Sequence, residues 1–221
     1  MSVFVVVTVL WIFSVCLHEF GHAIVAYYGG DTSVREKGYL TLNPLKYTHP
    51  VMSLLLPVIF MMLGGIGLPG GAVYINDQLI RSRGWRMAVS LAGPLMNVVL
   101  IFVLWLLFRF GGMLSDAGNV GGPALAFLLQ LEISAVLFNL LPIPPLDGFQ
   151  AIAPWLPSRV EEKLMGHANL FLWLLFIVMW NSPRAAALFW GTTFTVADFL
   201  GVDPSLAQQG WRQFQFWRQI N

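Results

Sequence analysis

The stretch VCLHEFGHAIVAYY, residues 15–28, decides how the rest of the chain is interpreted. It lies in an apolar run long enough to cross a membrane, since a spanning helix needs about 20 mostly apolar residues. Two histidines and a glutamate, His18, Glu19 and His22, interrupt this run. Ionisable side chains at membrane depth are costly and therefore indicate a functional site. The remaining sequence must supply the partners that stabilise them.

Composition predicts a membrane protein. Of the 221 residues, 57% are hydrophobic and only 10% are charged, whereas soluble domains carry about 25% charged residues. The formal net charge of +1 gives no reason to expect a nucleic-acid partner. The single Cys16 cannot form an internal disulfide and is interpreted as a buried, inert thiol. The first apolar run lacks the charged start and cleavage site of a secretory signal, so we expect it to be retained.

The apolar runs predict an all-α polytopic membrane protein with about five transmembrane helices. No long-period repeat and no separate soluble domain is visible, so residues 1–221 are interpreted as one intramembrane domain. Its core would be 3–156, followed by additional C-terminal spans in 164–200 and a polar tail, 201–221. The predicted spans are 3–28, 87–110, 123–145, 164–181 and 184–200.

Residues 51–68 form a shorter apolar stretch that we expect to enter the membrane and turn back. Pro57 lies within it and six glycines and prolines follow in 64–71, a density that breaks helices. Bare backbone is tolerated at membrane depth only where protein or water covers it. This re-entrant topology places all the basic loops on one side, which the positive-inside rule identifies as the cytoplasm. Those loops are 29–50, 76–86 and 146–163.

His18 and His22 are four residues apart, so on a helix they share one face. Both imidazoles can then reach one zinc ion, with Glu19 beside it as the general base for a water molecule. The alternative is a pair of core histidines with hydrogen-bonded rings. Three ionisable side chains at ligand spacing inside a membrane segment favour the metal site.

A catalytic zinc ion usually has three protein ligands and one open position. Asp147, in FNLLPIPPLDGF at 138–149, is the candidate third ligand, because three prolines before it interrupt the predicted span 123–145. Broken membrane helices commonly mark binding sites, although Asp147 could instead cap the next segment. If 51–68 is re-entrant, the chain crosses the membrane twice between the histidines and Asp147, through 87–110 and 123–145. Asp147 then lies on the same side of the membrane as the histidines, at a similar depth. His49 and His167 are interpreted as surface or interface histidines.

Three motifs together resemble the site-2 protease family of intramembrane zinc metalloproteases, specifically its compact bacterial and archaeal members without PDZ or CBS domains. They are HEFGH at 18–22, AGPLMN at 92–97 and FNLLPIPPLDG at 138–148, and the match runs from about residue 14 to 156. The resemblance implies one zinc ion per chain on His18, His22 and Asp147, with Glu19 as the catalytic base. It also places Asn97 and Asn139 near the active site.

One local departure concerns TLNPLKYTHP at 41–50, where relatives often have a histidine directly after NPLK. Here Tyr47 stands at that position and His49 follows, so no role is assigned to His49.

Asn97 or Asn139 could donate a hydrogen bond to the developing oxyanion, or could instead tie spans together. Glu132 lies about 20 Å from Asp147 by helical rise, and is interpreted as lying near the outer interface or pairing with another span.

A substrate helix must unwind before hydrolysis, and GGAVYIN at 70–76 is a candidate for holding it. The glycines followed by β-prone residues predict a short extended stretch that could pair with substrate by β-augmentation. A plain return loop is the alternative. The residues of this predicted substrate strand are Ala72, Val73, Tyr74 and Ile75.

The predicted function is hydrolysis of peptide bonds within or near transmembrane segments. The predicted partners are a transmembrane protein or peptide substrate and the lipid bilayer, in a prokaryotic cell membrane with the active site toward the cytoplasm. The main alternative is a non-proteolytic metal-binding or transport protein, which would not need Glu19. Four histidines are too few for a membrane desaturase. A cytosolic-face protease would need a glutamate ligand, and Glu161 and Glu162 follow no such motif.

Overall fold

The computed structural model describes residues 2–46, 73–110 and 121–218. Within these residues the chain forms α-helices and short 3-10 turns and no β-strand, as the all-α prediction requires. The helices are α1 (Val3–Gly29), α2 (Ser33–Glu36), α3 (Arg83–Phe110), α4 (Gly121–Asn139), α5 (Asp147–Ile152), α6 (Ser158–Gly166), α7 (Ala168–Asn181), α8 (Pro183–Phe199) and α9 (Pro204–Phe214).

Three of these helices, α1, α3 and α4, are long and apolar enough to cross a membrane. Two bent pairs also qualify if each is counted as one broken span. Helices α6 and α7 meet at 61°, and α8 and α9 at 118°. The described residues therefore contain three to five candidate spans, in agreement with the prediction of about five. The predicted re-entrant segment 51–68 lies outside the described residues.

The predicted span 123–145 ends earlier than expected, at Asn139. Residues 140–146 form turns and bends, because the prolines in this stretch lack the amide hydrogen that a helix needs. The chain then re-enters a helix at Asp147, the first residue of α5. The break therefore positions Asp147 at the start of a short new helix.

Helix α4 lies at the centre of the bundle. Its apolar window is 83% buried, against 44% for α1 and 39% for α3, so protein surrounds it on nearly all sides. Large apolar side chains such as Trp11, Phe108 and Leu128 fill the space between these three helices. At the site end, α1 and α3 approach backbone to backbone. A methyl group on Gly21 would lie 2.7 Å from the carbonyl oxygen of Ala92.

Residues 201–221, described from the sequence as a polar tail, contain the helix α9. It packs against α4 so closely that a Cβ on Gly210 would collide with the backbone of Pro123. Phe214 is fully buried, with its ring 5.2 Å from that of Phe4 and 5.5 Å from that of Phe127. The buried residues Ala207, Gly210 and Phe214 recur at helical spacing, which is the amphipathic signal that polar composition concealed.

The polar joints meet at one end of the bundle. The amide of Arg81 donates to the carbonyl of Gly29 over 2.9 Å. The guanidinium of Arg86 pairs with Asp77 at 3.2 Å and with Glu161 at 2.5 Å. Parts of the three joints predicted to share one side, 29–50, 76–86 and 146–163, are therefore in contact.

Candidate metal centre

His18 and His22 lie one turn apart on α1, and both are buried. Their Nε2 atoms are 3.0 Å apart. Asp147 faces both, with Oδ2 3.2 Å from the Nε2 of His18 and Oδ1 3.5 Å from that of His22. One donor atom from each residue lies within 4.8 Å of the others. The structure thus brings the three predicted ligands together.

The hydrogen bonds of the two imidazoles orient their Nε2 atoms toward Asp147. The Nδ1 atom of His22 lies 2.7 Å from the carbonyl oxygen of Val89, and that of His18 lies 2.8 Å from Oδ1 of Asn97. Both partners accept, so we assign the proton of each ring to Nδ1. Each Nε2 then presents a lone pair toward Asp147, the arrangement in which histidine commonly binds a metal.

The donor set fits zinc. Two imidazole nitrogens and one carboxylate leave a fourth position open, as in catalytic zinc sites. Tetrahedral zinc with bonds of about 2.0–2.2 Å separates its ligand atoms by roughly 3.4 Å. The measured separations of 3.0, 3.2 and 3.5 Å are close to that value.

Gly93 on α3 leaves the space in which these donors meet. A Cβ built on this residue would lie 2.6 Å from the Nε2 of His18 and would also collide with that of His22. Any side chain here would therefore displace the imidazoles. The glycine of the AGPLMN motif is explained by this close approach of the α3 backbone.

A second glycine allows Asp147 to reach the site. A Cβ on Gly148 would overlap the backbone of Leu140 and lie 2.7 Å from the carbonyl oxygen of Leu141. The start of α5 therefore folds tightly against the end of α4. Hydrogen bonds of 2.8 Å from Ile143 to Leu141 and from Leu146 to Ile143 hold the intervening turn.

Glu19 is buried beside the histidines and contacts the segment that follows the glycine-rich stretch. Its Oε2 accepts a hydrogen bond of 3.0 Å from the amide of Val73. Nearby, Lys37 donates to the carbonyl of Tyr74 over 3.0 Å. The amide of Asn76 donates to Oδ2 of the buried Asp31 over 2.7 Å.

The predicted extended stretch 72–75 forms no strand in its described part, residues 73–75. Ladder hydrogen bonds require a neighbouring strand, and no strand exists in the described ranges 2–46, 73–110 and 121–218. Side chains bind this backbone instead. Ala72 lies outside the described residues.

Asn97 contacts a predicted ligand directly. Its Oδ1 accepts from Nδ1 of His18, while its Nδ2 donates to Oε2 of Glu132 over 2.9 Å and to Ser14 over 3.2 Å. Asn97 thus joins α1, α3 and α4. Asn139, the other predicted amide, is buried as the last residue of α4.

Glu132 is fully buried and accepts hydrogen bonds from Ser14 on α1 and Asn97 on α3, so the prediction that it pairs with another span is confirmed. The distance from Glu132 to Asp147 along α4 does not determine how close Glu132 lies to His18, because His18 belongs to a different helix, α1. The packing of α1, α3 and α4 brings Glu132 within hydrogen-bond distance of Asn97, which in turn binds His18. No spacing within one motif signals this contact.

The other candidate residues lie elsewhere or remain undescribed. His167 is exposed at the junction of α6 and α7, where Nδ1 donates to the carbonyl of Lys163 over 2.8 Å. Glu161 pairs with Arg86 and Glu162 is exposed. His49 lies outside the described residues.

Comparison with known proteins identifies relatives along nearly the whole chain. The chain is 43% identical over 216 residues to the Mycolicibacterium smegmatis protein named "Putative zinc metalloprotease Rip2", covering 98% of this chain and 82% of that protein. It is 40% identical to the Mycobacterium tuberculosis protein of the same name, with the same coverage. It is 32% identical to Bacillus subtilis "Putative zinc metalloprotease YwhC" over 185 residues, covering 81% of each chain.

No protein-family model matches the chain, and no solved structure gives a significant match. The match to the Mycolicibacterium smegmatis Rip2 covers 98% of this chain and therefore includes the helices that carry His18, Asn97 and Asp147. The chain therefore belongs, with Rip2 and YwhC, to the compact site-2 protease family.

Proposed function

We propose that the protein is an intramembrane zinc metalloprotease that hydrolyses peptide bonds within or near the transmembrane segments of membrane proteins. One observation carries the proposal. A buried carboxylate, Glu19, lies on an apolar membrane-type helix next to the converging donors of His18, His22 and Asp147. The names of the relatives, which specify zinc and proteolysis, support it.

In this proposal His18, His22 and Asp147 hold one zinc ion per chain. The ion would supply Lewis acidity and lower the pKa of a water molecule toward neutrality. Glu19 takes a proton from the attacking water and returns it to the leaving amine. The amide of Val73 engages Oε2 of Glu19, which orients the carboxylate and leaves Oε1 to accept the proton.

The asparagines would have different tasks. The side chain of Asn97 is engaged with His18, Ser14 and Glu132, so we propose that it supports the ligand. Asn139, buried at the end of α4, is then the candidate donor to the oxyanion. Such a donor contributes most when it is already in place before the charge develops.

We propose that substrate binds along residues 72–75 as an added strand. The support is position, since the amide of Val73 contacts Glu19 and a peptide beside this segment would lie near the reacting groups. An unwound substrate has free backbone groups that need partners in a membrane interior. The backbone amides and carbonyls of this segment would supply these partners, except for the amide of Val73, which binds Glu19, and the carbonyl of Tyr74, which binds Lys37.

We place the active site toward the cytoplasm. The three joints that meet at the site end of the bundle carry most of the arginines and lysines of the chain, and such loops are retained on the cytoplasmic side. The contacts of Arg81 and Arg86 bring these joints together.

The test combines metal analysis with cleavage in one preparation. Purified wild-type protein and Glu19→Gln are analysed for zinc by mass spectrometry and incubated with a panel of single-span model substrates. We expect one zinc per chain in both proteins and cleavage by wild type alone. A zinc-loaded wild type that cleaves no substrate would favour the metal-binding or transport function instead. Wild type without zinc would remove the metalloprotease proposal altogether.

A further inference from the structure

Glu132 is a buried carboxylate that the proposed hydrolysis does not use. It is fully buried in α4, and its Oε2 accepts hydrogen bonds from Ser14 over 2.7 Å and from Asn97 over 2.9 Å. Its Oε1 is buried without a hydrogen-bond partner among residues 2–46, 73–110 and 121–218. The partners in this part of the chain are a hydroxyl and an amide, neither of which is positively charged.

Burying a carboxylate has a large desolvation penalty, which helix packing alone does not require. Burying a charged carboxylate without a cation is strongly unfavourable, and a membrane interior offers no water to reduce that penalty. Glutamine has nearly the same size and could accept the same two hydrogen bonds through its carbonyl oxygen. The acidic group therefore implies an electrostatic task toward something within reach.

The hydrogen bonds lead from Glu132 to a predicted zinc ligand. Nδ1 of His18 donates to Oδ1 of Asn97 over 2.8 Å, and Nδ2 of the same amide donates to Oε2 of Glu132 over 2.9 Å. Every link donates toward the carboxylate. Because hydrogen bonds in a low-dielectric interior polarise one another, a negative charge on Glu132 would make the Asn97 carbonyl a stronger acceptor for the imidazole.

We propose that Glu132 is a positioning residue of the zinc centre, acting through Asn97 on His18. It fixes the proton of the imidazole on Nδ1 and makes Nε2 a stronger zinc ligand. In many metal sites a carboxylate contacts the ligand histidine directly; here an amide stands between them. Among the described residues, Nδ1 of His22 has the backbone carbonyl of Val89 as its partner, and no carboxylate is joined to it there through a side-chain amide, so the two histidines receive unequal support.

This inference rests on the proposed zinc site, and its test does not need proteolysis. The rate of zinc loss to an excess of chelator is measured for purified wild type and Glu132→Gln. Weakening a contact of this kind typically lowers metal affinity about 10–100-fold, so we expect zinc release to be faster by a factor in that range. Ser134→Ala is the matched control. Ser134 is fully buried two residues away, with its hydroxyl bonded within α4 to the carbonyl of Leu131, and zinc release should stay unchanged.

A double-mutant cycle separates positioning from packing. Removing the amide in Asn97→Ala cuts the connection, so Glu132→Gln should have no further effect on zinc release in that background. If the two substitutions act additively, Glu132 only packs three helices together and the inference is overturned. Glu132→Asp is the second variant. It keeps the charge but retracts it by one methylene group, and it should also release zinc faster than wild type.

The possible failures are distinguishable. A wild-type protein that binds no zinc would overturn the proposed function and this inference with it. Equal release rates in zinc-loaded wild type, Glu132→Gln and Glu132→Asp would overturn this inference alone and leave the metalloprotease proposal intact.

Discussion

Helices α4 and α7 are both rich in apolar residues, yet their surroundings are opposite. Most residues of α4 are buried, whereas Phe176 is the only buried residue of α7. Side chains such as Trp173, Ile177 and Trp180 on α7 are more than half exposed, as expected of a lipid-facing helix. Hydrophobicity alone does not distinguish a helix surrounded by protein from one surrounded by lipid, because the protein interior and the lipid chains are both apolar.

Polar interruptions make that distinction. The three helices that pack against one another, α1, α3 and α4, each carry buried polar groups, among them Ser14, Asn97 and Glu132. These groups bind one another across helix boundaries. A polar side chain inside an apolar run therefore identifies the face that contacts protein. Substitutions in the two regions should accordingly have unequal effects.

The largest difference is expected between two aspartates. Asp147→Asn should lose both zinc and proteolysis, because it removes the negative ligand and leaves two neutral imidazoles. Asp198→Asn, on an exposed position of α8, should change neither. Metal content by mass spectrometry and cleavage of a model substrate check both variants. Full zinc occupancy in Asp147→Asn would remove this residue from the ligand set.

Glycine-to-alanine substitutions give the next contrast. Gly93→Ala should displace the histidines and lower zinc occupancy strongly, since its Cβ would collide with both imidazoles. Gly191→Ala on α8 meets nothing within 4 Å, so the better helix propensity of alanine should stabilise that helix by about 1 kcal/mol. Zinc binding and unfolding in mild detergent measure the pair. Normal zinc affinity in Gly93→Ala would mean that α3 can move away from the site.

Leucines on the two helices should differ in stability. Leu128 on α4 is almost fully buried, whereas Leu174 on α7 is 45% exposed. Leu128→Ala leaves a cavity between helices and should destabilise the fold by about 2–5 kcal/mol. Lipid or detergent can fill the space left by Leu174→Ala, so its cost should be much smaller. Equal losses in detergent unfolding would show that α7 also packs against protein.

The smallest effect is expected at Tyr74, in the proposed substrate strand. Proline removes the backbone donor of this residue but keeps the carbonyl that Lys37 binds. One lost hydrogen bond of about 0.5–1.5 kcal/mol should slow cleavage of transmembrane substrates up to about tenfold by the same measure, with zinc content unchanged. Tyr74→Ala is the control and should be mild. If both variants cleave at the wild-type rate, the segment is a return loop and substrate is held elsewhere.

The sequence was sufficient for features that depend on local pattern. Spacing brought His18 and His22 to one face, and the prolines after Asn139 predicted the break that presents Asp147. The network of Glu132 and Asn97 was not predictable in this way, because it exists only where three helices cross. Helix α9 was not predicted because polar residues such as Gln208, Gln209 and Arg212 lower the mean hydropathy of the segment, although Phe214 and Trp211 on its apolar face pack against the core.

The close contact of α1 and α3 has a cost in helix propensity. Neither Gly21 nor Gly93 has a positive φ, so both backbones would accept alanine, and each glycine costs its helix about 1 kcal/mol relative to alanine. In water such a cost promotes local unwinding. In a bilayer an unwound turn would leave its amides and carbonyls without partners, which keeps both helices intact. In a membrane, glycine can therefore occupy these positions for the close helix contact that it allows, because its low helix propensity does not unwind the helix there.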